Sequence, residues 1–144
     1  MKKGVDYIGV TCVFYCHDGK GNLLLHKRSQ KCRDEKGRWD CGGGAMKFGE
    51  SFEQTMKREV KEEYCCNIEK LVPVGFNNVI RNEGKVKTHW IAILYAAKVD
   101  PRKVKIGNTS KMEKIGWFKP NKLPVPLHSM YLIHLESVKK AVVF

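Results

Sequence analysis

This sequence predicts an α/β fold with a mixed sheet, and three observations carry that expectation. Runs rich in β-branched and aromatic residues lie on both sides of one amphipathic helical pattern. Turn chemistry separates those runs, at Asp18-Gly19-Lys20-Gly21-Asn22 and again at Asn82-Glu83-Gly84-Lys85. A second apolar stripe at helical spacing closes the chain. Strands around a central helix argue for a layered α/β arrangement. The 144 residues, 42% of them hydrophobic, suit a single domain over 1–144, with no repeat and no low-complexity linker.

Val5 to Cys16 reads as the first strand, with Ile8, Val10, Cys12 and Phe14 on one face. Leu23 to Lys27 returns as the second arm of a hairpin, and Ser29 to Arg38 is a charged loop. Trp39 leads into Gly42-Gly43-Gly44. Ser51 followed by Gln54 is a capping-box pattern, and Phe52, Met56, Val60 and Tyr64 form the expected buried stripe of the helix it starts. Leu71 to Arg81 and Val86 to Val99 are two further strands, and Gly116-Trp117-Phe118 is a short one. After Pro124 and Pro126 comes a helix over about 129–142, with Leu132, Leu135, Val138 and Val142 facing inward.

A formal charge of +12 favours anionic partners without choosing among nucleotides, nucleic acids and acidic membranes. The six cysteines contain no CxxC pair, so a zinc ribbon is excluded, and they read as structural thiols. No apolar run is long enough for a signal peptide or a membrane span, which makes the cytosol the default compartment.

Against that basic background, Glu50, Glu53, Glu59, Glu62 and Glu63 fall within fourteen residues. On a helix, Glu59, Glu62 and Glu63 share an arc of about 100°. Like charges so placed destabilise a helix by roughly 0.2–0.5 kcal/mol per pair. One offset is solvation together with Lys57, Arg58 and Lys61. The other is a divalent cation held by oxygen ligands and shared with substrate phosphates. The preceding glycines, which allow close backbone approach, and Arg58 beside Glu59 favour the cation.

Gly44, Glu50, Arg58, Glu59, Val60, Glu62 and Glu63 together resemble the Nudix hydrolase signature at matching spacing. Two positions depart from it: Cys65 stands where the family has Gly, and Gly42 where Pro is common. Trp39 upstream and Trp117-Phe118 with Leu123-Pro124 downstream extend the likeness over most of the chain. The resemblance implies an α/β/α sandwich and water attack on the phosphorus of a nucleoside diphosphate linked to another group, with Mg²⁺ or Mn²⁺ as cofactor. It implies Glu59, Glu62 and Glu63 as metal ligands, with the Gly44 carbonyl beside them. Arg58 would orient Glu59, Glu50 would support, and either Glu59 or Glu113 would serve as general base. For Glu113 a solvated loop residue is the plainer reading.

Arg28, Lys47, Arg81 and Lys87 are candidates for substrate phosphate, with solvated surface charge as the plainer alternative. Trp39, Trp90 and Phe48 are candidates to stack on a base; core packing is preferred for Trp90, and both readings stay open for Phe48. His26 and His89 read as structural, and Glu83 as surface. Small nucleoside-triphosphate or ADP-ribose hydrolases are the best matching subclasses, and a homodimer is expected by analogy. The rival readings are a noncatalytic nucleotide sensor, for which Cys65 is the hint, and an RNA-binding or decapping protein. The latter is disfavoured because the lysines are scattered without an aromatic-basic motif.

Overall fold

The computed structural model describes residues 1–141 and centres on a seven-stranded mixed sheet. The innermost strand, β1 (Gly9–His17), is followed by β2 (Leu23–Arg28), β3 (Trp39–Asp40), β4 (Gly42–Ala45), helix α1 (Phe52–Tyr64), β5 (Lys70–Glu83), β6 (Val86–Lys98), β7 (Met112–Phe118) and helix α2 (Tyr131–Ala141). β1 runs parallel to β6 from Gly9↔Trp90 to His17↔Lys98, and β5 pairs antiparallel with β6 as a long hairpin. The helices lie on opposite faces. Cys12, Phe14 and Cys16 pack with Met56, Val60 and Tyr64 of α1, while Tyr15, Leu23 and Leu25 pack with Tyr131, Leu135 and Val138 of α2. This is the expected α/β/α sandwich, and β1 carries a near-continuous apolar run because both of its faces are covered.

β1 and β2 share only the pair His17↔Leu23 before they part. The segment 39–45 bridges the gap: β3 pairs with β2 at His26↔Asp40, and β4 pairs with β1 from Thr11↔Ala45 to Phe14↔Gly42. That crossing carries the glycines into the middle of the molecule.

Several sequence expectations shift. Val5 to Ile8 are not strand: residues 2–7 form a turn in which Gly4 accepts from the His89 N–H and leaves no room for a side chain against the Trp90 indole. Phe52 is 41% exposed, and the buried face of α1 is Thr55, Met56, Glu59, Val60, Glu63 and Tyr64. Glu59 and Glu63 therefore share the helix's inner face, while Glu62 is exposed. α2 begins at Tyr131, and the Ser129 N–H before it donates to the Glu35 carboxylate. It buries Tyr131, His134, Leu135 and Val138, leaving Leu132 exposed one helical step away; Val142 lies outside the described residues. β7 is longer than expected and takes in Glu113. All six cysteines are free; Cys12, Cys16, Cys41 and Cys66 are buried, Cys32 is half-buried, and Cys65 is exposed. No helix among the described residues is long and apolar enough to cross a membrane.

Candidate active site

The capping box forms as the sequence predicts, with the Gln54 N–H donating to Ser51 Oγ and the Ser51 N–H to Gln54 Oε1. It starts α1 so that Glu59 and Glu63 point at the glycine strand. A Cβ on Gly44 would lie 2.1 Å from the Glu59 carboxyl carbon, and one on Gly42 would lie 1.9 Å from the Phe14 ring and 2.7 Å from Glu63 Oε2. At Gly43 the obstacle is the Cys12 carbonyl, at 2.8 Å. None of the three has a positive φ, so close approach is what demands glycine here. Glu59 and Glu63 are 9% and 8% exposed.

Arg58 organises the outer side of this cluster. Its Nε and Nη2 donate to both oxygens of Glu50 at 2.8 Å, Nη1 donates to Glu59 Oε1 at 2.7 Å, and Nη2 also reaches the Ala45 carbonyl. Such a fork fixes the carboxylate in plane as well as in position. Glu50 is further held by the Lys47 N–H and the Thr55 hydroxyl. The Arg58 hydrogen bonds, then that Lys47 N–H, hold its carboxyl down at about 2. Glu50 is thus saturated by protein donors. Glu62 is the most exposed of the three helix acids, 3.5 Å from Arg58 Nη1.

Glu63 differs. Burial pushes its carboxyl well above the usual range, and the charge of Glu59 pushes the same way, against a single Gly43 N–H at 3.3 Å and the field of Lys111. The anionic form of this buried acid is under-compensated. A hard cation held by carboxylate oxygens would relieve that, so the donor chemistry fits Mg²⁺ or Mn²⁺. Among the described residues no three His, Cys, Asp or Glu side chains already converge on one point, because Arg58 draws Glu59 and Glu62 toward itself. The helix ends as the motif requires: Cys65 adopts φ +59, its N–H bonds the Lys61 carbonyl, and the N–H groups of Lys105 and Gly107 close on the carbonyls of Tyr64 and Glu63.

Beside the carboxylates opens a cleft of about 920 Å³, within the range of small-molecule sites. Gly44, Glu63, Arg28 and Arg81 line it; Glu59 and Glu62 do not. Both arginines are committed to carboxylates, however: Arg28 to Asp34 at 2.9 Å, and Arg81 to Glu35 and Asp34. Lys47 and Phe48 stand outside the cleft lining, their side chains in solvent where the loop turns at Gly49 (φ +88). Lys87 is likewise exposed and outside it. Glu113 is exposed on β7, 3.8 Å from Lys27. Trp39 packs edge-on against Phe118, and Trp90 lines the cleft with its indole wedged against Gly4 and Gly9. His26 is buried against the Tyr64 hydroxyl at 2.7 Å and pushed down to about 4 by burial, with the charges of Arg28 and His128 adding to it. His89 bonds Asn78 across the hairpin.

Two cleft residues escaped the sequence reading. Asp40, next to Trp39, turns a largely enclosed carboxyl toward the cavity. Burial raises its pKa, against the fields of His128 and Arg28 and the Cys41 N–H at Oδ1. His128 stands 3.9 Å from Asp40 Oδ2. Neither belongs to a periodic pattern; adjacency to Trp39 is the only local sign for Asp40.

The NUDIX domain profile matches residues 7–140. The chain belongs to the Nudix family. It is 28% identical over 140 residues to the mouse (Mus musculus) protein named 8-oxo-dGDP phosphatase NUDT18, and 27% identical over 142 residues to the human (Homo sapiens) protein of that name. Each alignment covers 96% of this chain and 40% of the relative, so this Nudix chain spans about two fifths of those proteins' length. Among solved structures, a MutT NUDIX hydrolase from Burkholderia pseudomallei superposes with a TM-score of 0.80 at 29% identity, covering 91% of this chain and 98% of that one. The NUDIX domain of Shewanella oneidensis NrtR, solved with ADP ribose, has a TM-score of 0.70 at 19% identity over 97% of this chain and 89% of that chain, a likeness of fold alone.

Proposed function

We propose that this Nudix protein hydrolyses the pyrophosphate bond of a purine nucleoside diphosphate or triphosphate, releasing the monophosphate. The observation that carries the reading is the buried pair Glu59 and Glu63, of which Glu63 is under-compensated, pressed against a glycine strand beside a nucleotide-sized cleft. Glu59, Glu62, Glu63 and the Gly44 carbonyl would hold Mg²⁺ or Mn²⁺, which when bound supplies charge neutralisation at the phosphates and a more acidic water.

The chain's own residues do the rest. Glu50 anchors Arg58, and Arg58 holds Glu59 Oε1, leaving Oε2 to accept a proton. Thr11 Oγ1 fixes the Gly44 carbonyl at 3.2 Å. In the reaction, water oxygen bonds to phosphorus, the bridging P–O bond breaks, and the water proton passes to Glu59 Oε2. Glu113, exposed on β7 and facing Lys27, is the less suitable base. For the base of the nucleotide, Asp40 turns an enclosed carboxyl toward the cavity, its pKa raised by burial. Its oxygens suit an edge that presents N–H groups, as in guanine and its oxidised form. The relatives named 8-oxo-dGDP phosphatase agree with that class.

Incubation with Mg²⁺ and a nucleotide panel, with product identification, tests the proposal. Guanine-type diphosphates should give the monophosphate and orthophosphate, and Glu59→Gln should lower kcat by about 10²–10⁴-fold. Nucleotides left intact by the wild type, or an unaffected variant, would refute it. A noncatalytic sensor gains nothing from Cys65, which ends the helix as glycine would and leaves the carboxylates in place.

A further inference from the structure

Glu35 is a carboxylate that the hydrolytic chemistry leaves unused, yet it joins three segments distant in sequence. Its backbone is left-handed at φ +46, and its side chain is mostly enclosed. Oε1 accepts from the Ser129 N–H at 2.8 Å. Oε2 accepts from Ser129 Oγ at 2.9 Å and from Arg81 Nη2, and lies 2.7 Å from His128 Nε2. The charged loop is thereby fastened to β5 and to the stretch before α2.

The His128 ring reads out its own tautomer. The Met130 N–H donates to Nδ1 at 3.1 Å, and a backbone N–H can only donate, so Nδ1 carries a lone pair. The ring proton therefore sits on Nε2. That nitrogen stands between two carboxylates: it reaches Glu35 at 2.7 Å, while Asp40 Oδ2 at 3.9 Å is beyond hydrogen-bond range. A shift of about 1 Å would deliver the proton to Asp40 instead.

We propose that Glu35 is a positioning residue for the substrate cleft: its carboxylate, 2.7 Å from His128 Nε2, draws that ring nitrogen away from Asp40 and leaves the Asp40 carboxyl for the nucleobase. The kinetic consequence rests on the base-reading role given to Asp40 above. Without Glu35, His128 turns to Asp40 and competes with substrate, so binding suffers while phosphorus chemistry at Glu59 does not.

The test combines spectroscopy with a rescue. Long-range ¹H–¹⁵N imidazole spectra of the nucleotide-free full chain should show His128 protonated at Nε2 alone; Nδ1–H or a doubly protonated ring would overturn the proposal. Glu35→Ala should raise KM for the preferred nucleotide about tenfold with kcat within about twofold, and adding His128→Ala should bring KM back toward wild type. A merely structural loss would not be rescued by a second truncation. If Glu35→Ala fails to fold, Glu35→Leu carries the same comparison, since its side chain fills the space and offers the ring no acceptor. Unchanged KM in the single variant, or no recovery in the double, overturns the proposal. Asp40→Asn separates the two readings: unchanged KM there sinks the base-reading role, whereas a raised KM beside an unrescued double variant sinks the Glu35 role alone.

Discussion

Placing a methyl group at Gly44 tests the packing logic of the site at its tightest point. The new Cβ would stand 2.1, 2.3 and 2.5 Å from Cδ, Oε1 and Oε2 of Glu59, where ordinary contact begins at 3.4 Å. The carboxyl must therefore retreat by more than an ångström or the strand must bow. Retreat breaks the 2.7 Å bond from Arg58 Nη1; bowing disturbs the ladder to β1 at Cys12↔Gly44. Overpacking of this kind costs about 1–3 kcal/mol, and a displacement of about 1 Å in a reacting group costs about 10²-fold in rate. Gly44→Ala should accordingly lower kcat about a hundredfold, weaken Mn²⁺ binding measured by electron paramagnetic resonance, and lower Tm by several degrees. Gly75→Ala is the control, because a Cβ there meets nothing within 4 Å. A Gly44→Ala protein with wild-type turnover and Mn²⁺ affinity would refute the claim that glycine is required by the proximity of Glu59.

Two other outcomes follow from the same geometry. The folded-state pKa of Glu63 lies above its unfolded value, so the native state binds more protons and stability falls as pH rises from the ordinary carboxyl range through that raised value. Glu63→Gln should flatten that fall and raise the metal-free Tm at neutral pH, and saturating Mn²⁺ should stabilise wild type far more than the variant; thermal melts from pH 4 to 8 decide it. Cys65→Gly relieves a side chain from φ +59. Set against the looser unfolded chain, this leaves a gain of about 0.5–1 kcal/mol, or about 1–3 °C in Tm, read by calorimetry with kcat unchanged.

The reach of the sequence here follows from the range of the interactions. Glu59, Glu62 and Glu63 sit on one helix that opens with its own capping box, so helical geometry alone puts the acids side by side and Arg58 next to them. The β5–β6 hairpin and the two helices were legible for the same local reason, whereas the expected hairpin of β1 and β2 holds only at its turn. The chain itself also specified the triple glycine, but not what fills the space it leaves. That space is taken by Phe14, Glu59 and Glu63, which reach it only when β4 lies between β1 and α1. The rest was decided by tertiary structure. Arg28 and Arg81, plausible phosphate ligands in one dimension, are occupied by Asp34 and Glu35 across a loop. Phe48 is left in solvent by the turn at Gly49, outside the cleft its sequence neighbours border. Asp40, His128 and Glu35 meet across as many as ninety-three residues of chain, in no repeating pattern, and only the tertiary fold brings Asp40 and His128 to one cavity with Glu35 beside the His128 ring. Short-range electrostatics could be read from spacing; the neutralisation of a charge by a partner from another segment could not, because spacing carries no information about who arrives from across the sheet.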